Sequence, residues 1–249
     1  MIITSIKTPR IIPFSQNIIG IIERAVCSFQ EKSILVITSK IISLCEGQVI
    51  KTNAIDKNSL IEKEADYFLP SWKNQYGITL TIKNDILIPS AGIDESNAAG
   101  YYVLWPKNPQ ETANEIRKYL CSRFKIKKAG VIITDSTTAP LRLGTTGIAI
   151  AHSGFRANNN YIGKMDLFGR KLQVTKANIV DGLAAAAVVV MGEGNEQTPL
   201  AIICDVPFVV FQARNPVKKE LQSRKISIQK DVYSLLLMAI KWKTKKERF

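Results

Sequence analysis

Three acidic residues stand in loops directly after apolar segments: Asp94, Asp135 and Glu193. Hard divalent ions such as Mg²⁺ take carboxylate oxygens from separate chain segments and complete their shells with water or substrate phosphates. Strand ends suit such groups, because a sheet fixes the backbone while the loop leaves the carboxylate accessible. Each acid also reads as a solvated loop residue or a helix cap, and Asp135-Ser136 fits an Asx turn equally well, so spacing leaves both readings open. The run Pro140-Leu141-Arg142-Leu143-Gly144 puts an arginine on a constrained turn near Asp135, suited to a phosphate or carboxylate. The run Met191 to Pro199 (MGEGNEQTP) is a glycine-bearing loop whose backbone N–H groups suit phosphate oxygens. It lacks the GK[ST] of a Walker loop and the spacing of a dinucleotide fingerprint, and a helix-ending turn accounts for its glycines as readily. His152, the one histidine, reads as a satisfied strand residue; no serine or cysteine triad can be built around it.

The elements that must position these residues are partly readable. Thr4 to Ile12 predicts a strand leading to a turn at Pro13, and Ser15 predicts an N-cap before helical spacing from Ile18 to Phe29. Ser33 to Lys40 predicts a buried strand ending in a polar pair, and Leu60 to Phe68 a weaker helix. Ile78 to Ile82 and Ile86 to Ile88 predict a hairpin about Lys83-Asn84-Asp85 that feeds the loop from Pro89 to Gly100. Pro109 opens a helix, and Gly130 to Thr134 predicts a strand that empties into Asp135. Thr146 to Ala151 predicts a strand, and Lys176 to Met191 an alanine-rich helix ended by Gly192. Ala201 to Cys204 and Pro207 to Phe211 predict strands, and Asp231 to Trp242 a last amphipathic helix. The mixture has no regular βαβ beat, so the fold class expected is α+β, mixed sheets with flanking helices. Residues 1–213 make the expected catalytic unit, and residues 214–249 a basic segment belonging to it.

Bulk properties narrow the classes. The 249 residues are 46% hydrophobic and 22% charged, a globular composition. The longest apolar run, Leu183 to Met191, holds nine residues against the ~20 of a membrane span, and no signal-peptide pattern opens the chain. A soluble cytoplasmic protein is expected. Cys27, Cys45, Cys121 and Cys204 form no close pair, which disfavours zinc and predicts buried reduced thiols. The net charge of +13 raises nucleic acid as a partner, yet many of the cations cluster towards the C-terminus, with no stacking aromatics among them and no nucleic-acid motif. A solvated basic tail, or attraction of small polyanionic substrates, accounts for them better.

Taken in order, SKIISLCEG (39–47), SAGIDESN (90–97), TDSTTAPLRLGTTGIAIAHSG (134–154), DLFGR (166–170) and DGLAAAAVVVMGEGNEQTP (181–199) resemble the coenzyme F420:L-glutamate ligase family, the γ-glutamyl ligases. The resemblance covers about Ile12 to Val210. It implies an α+β fold, an intertwined homodimer, and GTP-dependent joining of L-glutamate to a pterin or deazaflavin carboxylate. It also implies a two-metal Mg²⁺ or Mn²⁺ site. Carried over by motif, Asp94, Asp135, Ser136 and Glu193 are the expected metal contacts, Ser136 replacing a usual threonine and Glu193 a usual glutamine. Nucleotide contacts are expected at Ile12, Pro13, Phe14, Ser15, Ser39, Lys40 and Asn97. The loop residues Met191, Gly192, Gly194, Asn195, Glu196, Gln197 and Thr198 complete that set.

Making an amide from a carboxylate in water requires activation, here through an acyl phosphate, and phosphoryl transfer needs neutralised charge and positioning more than a nucleophile. Lys40 and Arg142 are the expected fixed cations. Two departures stand out. Leu44 occupies a usual lysine position, with Lys40 or Lys51 available to compensate, and the DLFGR and MGEGNEQTP wording resembles a folate-associated branch. The rival expectations are a ligase for another amino acid or acceptor, and a non-catalytic anion- or nucleic-acid-binding protein on the same scaffold.

Overall fold

The computed structural model describes residues 1–70 and 74–244. The chain begins with β1 (Ile2–Ile6), α1 (Ile18–Ala25), β2 (Ile34–Thr38) and α2 (Ser39–Glu46). A smaller lobe follows with β3 (Val49–Lys51), α3 (Lys57–Glu64), β4 (Tyr67–Leu69), β5 (Leu80–Lys83), β6 (Ile86–Pro89) and β7 (Tyr101–Val103). The chain then returns through α4 (Pro109–Phe124), β8 (Gly130–Thr137) and β9 (Thr146–Ser153). The ribbon β10 (Asn158–Asn160) and β11 (Lys176–Asn178), then α5 (Ile179–Met191) and β12 (Leu200–Cys204), complete the matched motifs. Last come α6 (Lys218–Gln222), α7 (Ser234–Ala239) and β13 (Lys243–Thr244).

The central sheet has the order β1-β12-β2-β8-β9, with β2 and β8 parallel and their neighbours antiparallel. Side chains alternate across a strand, so β2 sends Leu35 and Ile37 to one face and Ile34 and Val36 to the other. On the first face they meet Ile21, Ile22, Ile41, Ile42, Ile116 and Leu120 from α1, α2 and α4. On the second they meet Val180, Leu183, Ala184 and Ala187 of α5. Burial on both faces is why β2 reads as an unbroken apolar run rather than an alternating one. A second sheet, β13-β4-β5-β6, carries the loop that ends in Asp94. The protein is thus mixed α+β, with several sheets and flanking helices.

The hairpin about Asn84 and Asp85 forms as expected; both adopt positive φ (53° and 64°), which two-residue hairpin turns demand. Other expectations need correction. The α1 cap is Asn17, whose Oδ1 accepts from Gly20 N at 2.7 Å, not Ser15. Ser39 and Lys40 do not end a strand but begin α2, which Gly47 closes in a left-handed conformation. Tyr67 to Phe68, read as helix, is strand β4, because its cross-strand partners in β5 outweigh a weak local periodicity. Lys176 to Asn178 pairs with β10 before α5 begins. Pro207 to Phe211 is no strand beyond a single bridge between Phe211 and Phe155, and the helix expected over Asp231 to Trp242 shrinks to six residues. Cys27 is exposed, against the expectation of a buried thiol, and all four cysteines are free. Of the basic residues clustered towards the C-terminus, Lys245, Lys246 and Arg248 lie outside the described residues.

Candidate functional site

Because β2 and β8 run parallel, their carboxyl ends lie side by side. The chain leaves β2 at Ser39, whereas β8, expected to end at Thr134, runs on past an irregularity at Ile133/Thr134 and stays paired with β9 to Thr137. Asp135 therefore lies in the strand and not in a loop after it. The crevice at such strand ends is where sheets of this kind bind ligands. A cavity of about 470 Å³ opens there, within the range of small-molecule sites. Thr38 to Ile41, Asp94, Asn97, Thr134 to Ser136 and the loop from Met191 to Pro199 line it, along with Thr8 to Ile11 and Leu44.

Asp94 is held by its own loop. Its backbone bridges Val103 in both directions at 3.0 and 2.7 Å, and its Oδ1 accepts from the Glu95 and Ser96 amides at 2.6 and 2.8 Å. Its Oδ2 meets Lys40 Nζ at 2.5 Å. Burial pushes the Asp94 carboxyl up, but the Lys40 ammonium and the Ser96 donors outweigh it and hold the group below the ordinary carboxylate value. Asp135 differs. Burial pushes its carboxyl up to about 6, and the nearby Asp94 charge adds to this, while the Trp105 N–H and Ser136 amide pull it down. Ser136 Oγ donates to the Glu193 carboxylate at 2.9 Å. Asn97 Nδ2 donates to Gly194 O at 2.9 Å and so ties the Asp94 loop to the Met191–Pro199 loop. Thr38 N donates to Pro199 O at 3.1 Å and Thr8 N to Gln197 O at 2.9 Å, which fixes the far end of that loop against β2 and the N-terminal segment.

Of the residues singled out from sequence, Ser39, Lys40, Asp94, Asn97, Asp135, Ser136, Met191, Gly192, Glu193, Gly194, Asn195, Glu196, Gln197 and Thr198 line this one cavity. Ile12, Pro13, Phe14 and Ser15 stand beside it in a turn closed by Ser15 Oγ on Ile12 O at 2.8 Å; the preceding Thr8 to Ile11 face the cavity instead. Arg142 lies on an exposed loop outside the lining, next to Leu141 and Leu143, whose side chains are fully solvated. Lys51 is at the end of β3, also outside it. Leu44 does face the cavity, but it is buried with Ala98 and Val103, so it belongs to a small apolar cluster as well.

Two residues passed over in the sequence reading matter here. Arg10 joins Lys40 as a lining cation, and its place just before the Ile12–Ser15 motif was the signal available. Trp105 reaches Asp135 from a segment 30 residues away in sequence, which no local pattern announces.

Among the described residues no three His, Cys, Asp or Glu side chains converge closely enough to hold an ion as they stand. The donor chemistry nevertheless fits a hard divalent ion: the candidates offer oxygen only, and Asp94 and Asp135 are close enough for the charge of one to raise the other. Lys40 sits on the Asp94 oxygen such an ion would share.

A strand-end cavity lined by acidic side chains from separate segments, two cations and a glycine-bearing loop has the charges and donors that handling an anionic small molecule requires. The comparisons sharpen that class. The F420-0:Gamma-glutamyl ligase family model matches residues 5–205. The chain is similar to the coenzyme F420:L-glutamate ligase of Methanocaldococcus jannaschii, 38% identical over 208 residues that cover 76% of this chain and 82% of the relative. It is also similar to the enzymes of that name from Methanococcus maripaludis strain C7 (37% identical, 72% and 77% covered) and Methanosarcina mazei (30% identical, 70% and 74% covered). The chain belongs to the F420-0:Gamma-glutamyl ligase family and is an amide-bond-forming ligase.

Proposed function

We propose that this ligase uses GTP to join L-glutamate, through an acyl phosphate, to the carboxylate of a coenzyme F420 precursor, with folate as the other acceptor to be tried. The observation that carries this reading is the shared cavity, where Asp94, Asp135, the Met191–Pro199 loop and the cations Arg10 and Lys40 meet. A triphosphate and two carboxylate substrates bring repelling charge together, so the site's task is neutralisation and alignment. Asp94, Asp135, Ser136 and Glu193 would hold Mg²⁺ or Mn²⁺, which supplies positive charge to phosphate oxygens. Lys40 and Arg10 can add fixed charge from the chain, and the loop between Gly192 and Thr198 offers backbone N–H groups. Arg142 can serve only if its exposed loop folds over the cavity.

The same reading includes a homodimer. Its support is the apolar side chains displayed by the extension of the β10–β11 ribbon, among them Leu167 at 97% and Phe168 at 95% exposed, which a second copy would cover.

The test incubates purified protein with GTP, Mg²⁺ or Mn²⁺, L-glutamate and either F420-0 or a reduced folate. Mass spectrometry of the acceptor is read beside GDP and phosphate release. Glutamylated F420-0 formed with equal GDP and phosphate is the expected result. Turnover only on folate would move the acceptor. Salt-sensitive RNA or DNA binding with no turnover of any acceptor would overturn the enzyme reading.

A further inference from the structure

Trp105 is 5% exposed, lies outside every matched motif, and donates its Nε1–H to Asp135 Oδ2. Two further contacts hold the indole. Gly92, two residues before Asp94, has φ +69°, and a Cβ built on it would come within 2.0 Å of Trp105 Nε1. The ring therefore occupies the space that any other residue at 92 would fill. Lys83 Nζ lies 5.2 Å from the indole centroid, and Lys83, itself 9% exposed, is paired with Glu64 at 3.0 Å. Val103, two residues before Trp105, bridges the Asp94 backbone. A single side chain thus packs on the segment that carries Asp94 and holds the carboxylate of Asp135.

We infer that Trp105 is a positioning residue for the ligase site: its indole N–H orients the Asp135 carboxylate, and its ring sets the spacing between the Asp94 loop and the end of β8 that carries Asp135. This rests on the reading of Asp135 as a metal-holding carboxylate. A buried indole needs some acceptor, and a backbone carbonyl would serve a purely structural tryptophan. Here the acceptor is an acid that faces the cavity, as second-layer partners of metal ligands do.

The test measures Mn²⁺ binding in the presence of GTP by electron paramagnetic resonance of the free ion, without reference to turnover. W105F removes the donor while keeping a ring. Site-specific replacement of Trp105 by benzothienylalanine keeps the bicyclic shape and loses only the N–H. Weakening of Mn²⁺ binding by about 10–100-fold is expected in both, with the thermal midpoint of the isostere near that of the unmodified protein. In a D135N background the same replacements should cause little further loss, since the carboxylate they act through is gone. Unchanged Mn²⁺ affinity in the isostere, or an equal loss with and without Asp135, overturns the positioning role. D135N alone binding Mn²⁺ as the unmodified protein does would instead overturn the metal reading beneath it, so the two failures are distinguishable.

Discussion

Two turns of this protein rest on the same local device, an aspartate whose Oδ1 accepts two backbone amides. Asp94 takes those of Glu95 and Ser96 at 2.6 and 2.8 Å. Asp166, in the DLFGR run, takes those of Phe168 and Arg170 at 2.9 and 2.8 Å. Locally both are Asx-type turns of the kind that aspartate favours. They differ in what the rest of the fold sets against them. The Asp94 turn faces Lys40, Asp135 and a glycine-bearing loop across a cavity. The Asp166 turn, at the end of a ribbon, displays Leu167 and Phe168 to solvent. A shared motif makes the turn; chemistry or association follows from what tertiary structure places opposite it.

The sharpest way to break this comparison is to remove the charge at the cavity. Asp94→Asn and Asp135→Asn are each expected to reduce ligation by about 10²–10³-fold or more, the scale of losing one preorganised electrostatic group. Circular dichroism should show folded protein in both. Near-normal turnover in either variant would leave that carboxylate with a structural role only. Removing the apolar display should act on association instead. Burying a phenylalanine is worth roughly 1.5–3 kcal/mol, so Phe168→Ser is expected to weaken a homodimer by about tenfold or more. Sedimentation equilibrium checks this, and a protein that is monomeric before substitution would remove the dimer from the reading.

A third, smaller effect separates site chemistry from loss of the fold. His152 on β9 is 1% exposed, with its Nδ1 3.4 Å from Arg224 Nη1. Burial first, then the Arg224 charge, hold its pKa down at about 3, against a partial upward pull from Glu220 and from a hydrogen bond to the Phe155 backbone. Between about 3 and its ordinary 6.5 the unfolded chain binds the proton that the folded chain refuses. Stability contributed by neutral His152 is therefore complete above about 6.5 and is lost as pH falls, by up to ~1.4 kcal/mol per pH unit. Chemical denaturation from pH 7 to 5 should show this slope, and His152→Gln should flatten it. A slope left intact would place the acid sensitivity elsewhere. The smallest effect is expected at the tail. Lys243 pairs with Phe68 through β13, so it belongs to the second sheet, but truncation after Thr244 should leave the rate at physiological salt nearly unchanged. A large loss there would bring the terminal cations into the site or the interface.

Much of the scaffold was readable because the physics that forms it is local. The apolar runs of β2 and β8, the Asn84-Asp85 turn and the Pro109 helix start all depend on neighbours within a few residues and appear where the pattern puts them. But β8 runs on to Thr137, because pairing with β9 holds the polar residues from Asp135 in the strand. α2 escaped, since its opening Ser39-Lys40 reads as the polar end of the strand before it. β4 escaped because three residues joined to β5 only by cross-strand bonds carry no period of their own. The candidate site was legible as residues but not as an arrangement. The motif loops named Asp94, Asp135, Asn97 and the Met191–Thr198 run, and all of them line one cavity.

By itself, then, the sequence determined the family, the alternation that buries a sheet on both faces, and the residue types offered to the ligand. Tertiary structure decided the rest. It turned Arg10 toward the cavity and left Arg142 outside its lining, put Lys40 on Asp94, set the half-buried Asp135 against Trp105, and enclosed Leu44 with Ala98 and Val103. The physical reason is range: strand and turn preferences act over a few bonds. Burial and Coulomb interaction act between groups 30 to 60 residues apart in the chain, and exist only once the fold brings them together.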